Sequence, residues 1–211
     1  MPLTTIFFDL DDTIYPASSG LWEAIKGRIS LYMHDHLGIP WDEIPSLRQQ
    51  YYEAYGTTLR GLEIHHGVNK NDYLFYVHDL PLTDYIGPDA ELRAVLERLP
   101  ARKLIFTNAD AAHAQRVLSI LQVDDCFDGI VDVNVLYPYS KPQAEAFQIA
   151  LRIASESDPH HCALIDDLPR TTRAARDLGF FTILSGGDGP TGDADASLAC
   201  WQDLPALLDG R

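Results

Sequence analysis

Residues 4–13 read TTIFFDLDDT, an apolar run that ends in three carboxylates, Asp9, Asp11 and Asp12, within four positions. Like charges this close repel, and partial burial raises the cost of keeping each ionised. A cation at the site would offset them, and a hard divalent ion with oxygen ligands, most simply Mg2+, suits carboxylates. Asp9 and Asp11 are two apart, so a strand that stayed regular would turn both to one side. A carboxylate is a competent nucleophile towards phosphorus, giving an aspartyl-phosphate. A second acid nearby can protonate the leaving oxygen and then activate water. Those tasks need one ionised and one protonatable group, which different surroundings can provide. For this fragment alone, a solvated acidic turn is the plain alternative.

Three further fragments carry suitable groups. In RKLIFTN (102–108) the Thr107 hydroxyl and backbone donors suit a phosphoryl oxygen, with Asn108 beside them as a substrate contact. A helix N-cap region is the alternative there. Lys141, in YSKPQ, precedes Pro142, a good first helical residue. Its ammonium would neutralise a phosphate and steady Asp9, or else be an ordinary surface charge. LIDD (164–167) ends another apolar run with Asp166 and Asp167, a pair suited to completing a cation site. Capping of the next helix explains one acid better than two.

These groups need a scaffold that brings them together. The stretches 4–10, 102–108, 127–132, 161–167 and 180–185 are short apolar runs, read as strands buried on both faces. Helical patterns at 111–121, 142–153 and 169–178 separate them, with Gly179 as a stop. Strands alternating with such helices predict an α/β fold with a doubly wound parallel sheet. One edge of that sheet then carries Asp9, Thr107, Asn108, Asp166 and Asp167, and ligands bind at such edges. Between the first two strands lie roughly ninety residues, far more than a crossover needs. Helical patterns at 20–37, 41–56 and 69–80 make residues 18–85 a helical insert, leaving 1–17 and 86–211 as the core domain. Residues 88–99 read as a helix returning to the sheet, and GGDGPTGDAD (186–195) as a turn-rich loop.

The 211 residues are 46% apolar and 22% charged, ordinary globular usage. With 16 basic against 31 acidic residues the net charge is −15, which disfavours nucleic-acid polymers and anionic membranes. A small phosphorylated metabolite stays possible, because a local cation overrides the distant field. Cys126, Cys162 and Cys200 show no metal or disulfide spacing, so a reduced, cytoplasmic protein is expected. No apolar run approaches membrane-spanning length, and no export signal is apparent. The oligomeric state is left open.

In order, DLDDT, TN, KP and DD resemble the motifs of the haloacid dehalogenase superfamily of phosphohydrolases. The resemblance spans residue 4 to about 184 and implies a Rossmann-like core with a helical cap inserted after the first motif. It implies Asp9 as nucleophile, Asp11 as acid/base, and Thr107 and Lys141 on the phosphate. Mg2+ would be held by the Asp9 side chain, the Asp11 backbone carbonyl and the Asp166–Asp167 pair. Members that break carbon–halogen bonds lack an acid two residues after the nucleophile, so Asp11 favours phosphate chemistry, a mutase included.

YPASSG (15–20), YYEAYGTTLRGL (51–62), DYLFYVHDLPL (72–82) and TNADAAHAQRVL (107–118) resemble the pyrimidine 5′-nucleotidase branch more closely. That likeness implies hydrolysis of a nucleoside 5′-monophosphate such as UMP or CMP. A base needs an aromatic or guanidinium face and edge donors, so Arg60, Tyr55 and His65 are candidate substrate contacts. Tyr51, Tyr52, Tyr55, Tyr73 and Tyr76 sit at helical spacings and equally suit packing within the insert. The chain has Leu168 and Thr171 where the branch usually has Ser and Asn beside the metal site. The alternatives are a phosphatase or mutase for sugar phosphates or another small metabolite, and a catalytically silent binding protein on the same fold.

Overall fold

The computed structural model describes residues 3–186 and 192–209, so part of the 186–195 loop lies outside the described residues. Six strands, β1 (Thr5–Phe8), β2 (Arg102–Phe106), β3 (Gly129–Val131), β4 (Cys162–Asp166), β5 (Phe181–Ser185) and β6 (Ala196–Leu198), form one sheet in the order β3-β2-β1-β4-β5-β6. Every pairing is parallel. The order runs outward from β1 in both directions, the doubly wound arrangement whose ligand crevice lies where the winding reverses. In register, Phe8 stands beside Ile105 of β2 and Ile165 of β4, so the residues after all three strands emerge together.

The apolar run of β1 is explained by what lies above and below it. Phe7 meets Phe106 and Phe180 edge-on at 5.8 and 6.0 Å between ring centroids. Phe147 closes that aromatic cluster against Phe106 and Phe180 at 5.4 and 5.7 Å. On the other face Phe8 packs on Phe127 at 5.5 Å and Trp201 at 6.2 Å. Burying each such ring is worth about 1.5–3 kcal/mol, enough to fix which strand takes the centre.

Several helices of the core start on side-chain caps. Helix α5 (Ala90–Leu96) starts at Asp89, whose carboxylate accepts from Leu92 N at 2.8 Å. Helix α6 (Ala111–Leu121) starts at Asp110, which accepts from His113 N at 2.9 Å. Asp132 caps the single turn α7 (Val133–Leu136) and also accepts from Ala111 N at 2.9 Å, pinning the start of α6 to the end of β3. Helix α8 runs over Ala144–Ile153, so Pro142 is not its first residue as the sequence suggests; Gln143 stands at the N-cap and Lys141–Pro142 is a cis peptide. Helix α9 (Pro169–Asp177) begins on proline and α10 (Leu204–Leu208) closes the chain. The three-residue β6 is too short to leave a pattern in the sequence.

Contacts divide the chain into two compact units, Met1–Ala17 with Ile86–Arg211, and Ser18–Tyr85. The second holds four helices, α1 (Leu21–Asp35), α2 (Ile44–Tyr55), α3 (Thr58–His66) and α4 (Lys70–His78), one more than the sequence patterns suggest. The additional one, α3, is bracketed by signals that were available. The Thr57 hydroxyl accepts from Arg60 N, and Gly67 ends the helix at φ 65°. Gly61 is required within α3 because a Cβ there would fall 2.1 Å from Cγ of Tyr51. Arg48 donates to Lys26 O at 3.2 Å and Ser30 Oγ at 3.0 Å, joining α2 to α1. Arg28 donates to Tyr76 O at 2.8 and 3.1 Å and covers that ring at 3.9 Å, joining α1 to α4. Among the described residues no helix is long and apolar enough to cross a membrane.

Candidate active site

Asp9 follows β1 directly and is held there by its backbone N–H, which donates to Ile165 O of β4 at 2.9 Å. Its Oδ1 accepts from Lys141 Nζ at 2.7 Å, and the same ammonium donates to Asp166 Oδ2 at 2.7 Å. Asp166 is wholly buried at the end of β4, and its Oδ1 accepts from Leu168 N at 3.0 Å. Asp9, Asp166 and Asp167 each offer a carboxylate oxygen, and these lie within 4.8 Å of one another. Folding therefore gathers residues more than a hundred positions apart into one buried cluster, as the strand order requires.

Charge in that cluster is unbalanced. Burial works against the Lys141 ammonium, but Asp166 and then Asp9 outweigh it and hold the group above its ordinary pKa. Burial pushes Asp9 well above the usual carboxylate range; Lys141 pulls it back, and Asp166 and Asp167 add to the rise. Burial, with Asp166 next, pushes Asp167 up to about 7. One ammonium thus faces three carboxylates. An all-oxygen, anionic, largely buried donor set with excess negative charge fits a hard divalent cation. Without that cation, Asp9 and Asp167 bind protons more tightly folded than unfolded, so stability falls as pH rises from the ordinary carboxylate range to about 7. Thermal melts in a chelator should therefore show Tm climbing as pH drops from 7 to 5. Added Mg2+ should raise Tm most at pH 7 and flatten that slope, and a chelated Tm independent of pH would contradict this account.

Around the cluster, Thr107 is buried after β2, its hydroxyl oxygen accepting from Ala109 N at 2.9 Å. That leaves its proton to give to an anion. Asn108, expected against substrate, has its amide spanning the Lys141 backbone instead. Its Oδ1 accepts from Lys141 N at 2.9 Å and its Nδ2 donates to Lys141 O at 3.1 Å. The role supported by this geometry is to set where Lys141 points.

Strand alternation does not govern Asp11, because β1 ends at Phe8 and residues 11–16 form turns, with Asp12 at φ 56°. The Asp11 carboxylate is instead taken up by Tyr15 Oη at 2.5 Å and His113 Nε2 at 3.2 Å. Both lie inside stretches quoted above, YPASSG and TNADAAHAQRVL, but nothing in those stretches marks either as a partner of Asp11. His113 had a signal, since it lies on the same buried stripe of α6 as Ala114, Val117, Leu118 and Leu121, a polar residue in an apolar row.

The other candidates belong to the 18–85 unit. Tyr55 Oη lies 2.7 Å from His65 Nε2, Tyr51 Oη lies 3.0 Å from His66 Nε2, and Arg60 pairs with Glu63 at 3.3 Å. The adjacent histidines thus each meet a tyrosine of α2. Tyr51 and Tyr73 are buried, which bears out packing for those two rings.

Residues 3–179 match the haloacid dehalogenase-like hydrolase family. The chain belongs to that family. It is 32% identical over 192 residues to phosphate metabolism protein 8 of Saccharomyces cerevisiae, a match covering 84% of this chain and 60% of the yeast protein. The chain therefore spans less than two thirds of that relative. Among solved structures, CbbY of Rhodobacter sphaeroides in complex with phosphate superposes with TM-score 0.67 at 19% identity, over 98% of this chain and 99% of its own. The magnesium-bound YfnB of Bacillus subtilis gives TM-score 0.63 at 16% identity, over 99% of this chain and 100% of its own. At such identities these two establish the fold, a haloacid dehalogenase-type parallel sheet with flanking helices.

Proposed function

We propose that the chain is a Mg2+-dependent phosphomonoesterase working through an aspartyl-phosphate on Asp9. The observation that carries this is the Lys141 ammonium bridging Asp9 and Asp166 at 2.7 Å each inside a three-carboxylate cluster. Asp9 attacks phosphorus, and the Lys141 ammonium and the Thr107 hydroxyl hold the phosphoryl oxygens. The ester bond breaks, and the leaving oxygen takes its proton from Asp11. Asp11 then removes a proton from the water that releases phosphate from Asp9. The side chains of Asp9, Asp166 and Asp167, with the Asp11 carbonyl, would hold Mg2+, which when bound neutralises charge on carboxylates and phosphate. Support comes from relatives: one of the fold neighbours carries magnesium and another phosphate.

Pyrimidine nucleoside 5′-monophosphates are the leading substrates, on the motifs of residues 15–20, 51–62, 72–82 and 107–118. Residues 18–85 are the cap that selects the substrate, with Arg60, Tyr55 and His65 as the base-contacting candidates. The cytoplasm is the proposed location, supported by three free cysteines. The test is a panel of phosphomonoesters assayed with Mg2+. UMP and CMP should exceed sugar phosphates in kcat/KM by at least about tenfold, the discrimination a few base contacts supply. Equal rates across the panel would remove the nucleotide assignment and leave a general small-metabolite phosphatase.

A further inference from the structure

Two buried side chains converge on one oxygen of Asp11. Tyr15 Oη donates to Asp11 Oδ1 at 2.5 Å, and His113 Nε2 lies 3.2 Å from the same atom. Tyr15 and His113 are each only 1% exposed, whereas the Asp11 side chain is 15% exposed. The partners come from separate parts of the core sequence, one from the turns after β1 and one from the first turn of α6. That first turn is fixed twice, by Asp110 accepting from His113 N and by Asp132 accepting from Ala111 N, each at 2.9 Å. The backbone that carries His113 is therefore held independently of the Asp11 turn.

A carboxyl group free to spin about its last torsion offers either oxygen in any plane. Anchoring Oδ1 from two rigid elements fixes that plane and the place of Oδ2. Proton transfer to a leaving oxygen depends on such placement, and a displacement of about 1 Å can cost about a hundredfold in rate. We propose that Tyr15 and His113 are positioning residues that aim Asp11 at the leaving oxygen, and so determine how well the enzyme cleaves esters of poor, alkoxide leaving groups. This rests on the phosphomonoesterase reading. In the step concerned, the phosphorus–oxygen ester bond breaks as the Asp9 oxygen–phosphorus bond forms. The departing oxygen keeps the electron pair and receives the Asp11 proton. A nitrophenolate leaves without that proton, so it is far less sensitive to where Asp11 points.

The experiment compares kcat/KM for UMP, an alkyl phosphate, with kcat/KM for p-nitrophenyl phosphate, using the full chain with Mg2+. Tyr15→Phe removes one hydroxyl and keeps the ring in place. His113→Leu removes the nitrogen, and His113→Gln returns a polar group near the Nε2 position. In Tyr15→Phe and His113→Leu the ratio of the two values should fall about 10- to 100-fold, part of the general acid's usual share. His113→Gln should recover part of the loss. With the aryl ester the variants should release a burst of one nitrophenol per enzyme and then turn over slowly, because the same Asp11 serves as base in the second step. If the leucine variant does not fold, Tyr15→Phe decides alone. An unchanged ratio overturns the inference and leaves the phosphatase reading standing. A wild-type chain that cleaves p-nitrophenyl phosphate but not UMP removes the nucleotide assignment, and the best alkyl ester of the panel takes UMP's place in the ratio. A wild-type chain inert towards every ester removes the phosphatase reading and this inference together.

Discussion

Asp9→Asn is expected to lower phosphatase turnover by at least about 10⁴-fold, the scale on which removing a covalent nucleophile acts. The substitution keeps the side chain's volume and an oxygen that can still accept from Lys141, whose second partner, Asp166, is untouched. It also removes a carboxylate that burial and two neighbouring acids hold well above its usual range. The metal-free variant should therefore melt no lower than wild type at pH 7. Loss of activity with an unimpaired melt assigns the defect to chemistry. The companion measurement is acid quench of wild type during turnover, which should leave a phosphoryl group on the peptide containing residue 9. Activity surviving in Asp9→Asn would show that another group attacks phosphorus.

Lys141→Met is expected to damage both activity and fold. It is nearly isosteric for the aliphatic stem but leaves the buried Asp9 and Asp166, with half-buried Asp167 beside them, without their cation. Removing one partner from such a cluster costs about 3–5 kcal/mol, because the stranded charges cannot regain water. For a chain of this size that lowers Tm on the order of 10 °C. The defect should shrink towards pH 5, where Asp9 and Asp167 accept protons, and on adding Mg2+, which replaces part of the missing positive charge. Calorimetry across that pH range, with and without the ion, checks this. A variant melting within about 2 °C of wild type at pH 7 would mean the ammonium contributes little, as many exposed pairs do.

The sheet was legible because its central strands are continuous apolar runs. Phe7 and Phe8 point to opposite faces and are both wholly buried, so no alternation interrupts the pattern. The acids and Lys141 were legible because they stand at the ends of such runs or just before a helix. What spacing does not carry is how side chains meet across 102 or 132 positions, the separations of the Asp11–His113 and Asp9–Lys141 contacts. The turn after β1 was hidden for a local reason: Asp12 takes a left-handed conformation that nothing in DLDDT demands. Asn108 shows a different limit. Its position beside Thr107 was evident, but its amide serves a neighbour's backbone, and residue type does not distinguish that from contact with a ligand.

The place of β1 between β2 and β4 bears on how the protein is made. Synthesis starts at the N-terminus, so the segment destined for the middle of the sheet leaves the ribosome before either flanking partner exists. Ile6, Phe7 and Phe8 stay uncovered until Arg102–Phe106 has been translated, and one side stays open until Cys162–Asp166 follows. A nascent chain halted between Phe106 and Lys141 presents a half-zipped edge with Asp9 already synthesised but Lys141 and the Asp166–Asp167 pair missing. Such a fragment lacks the charge cluster that the complete sheet gathers.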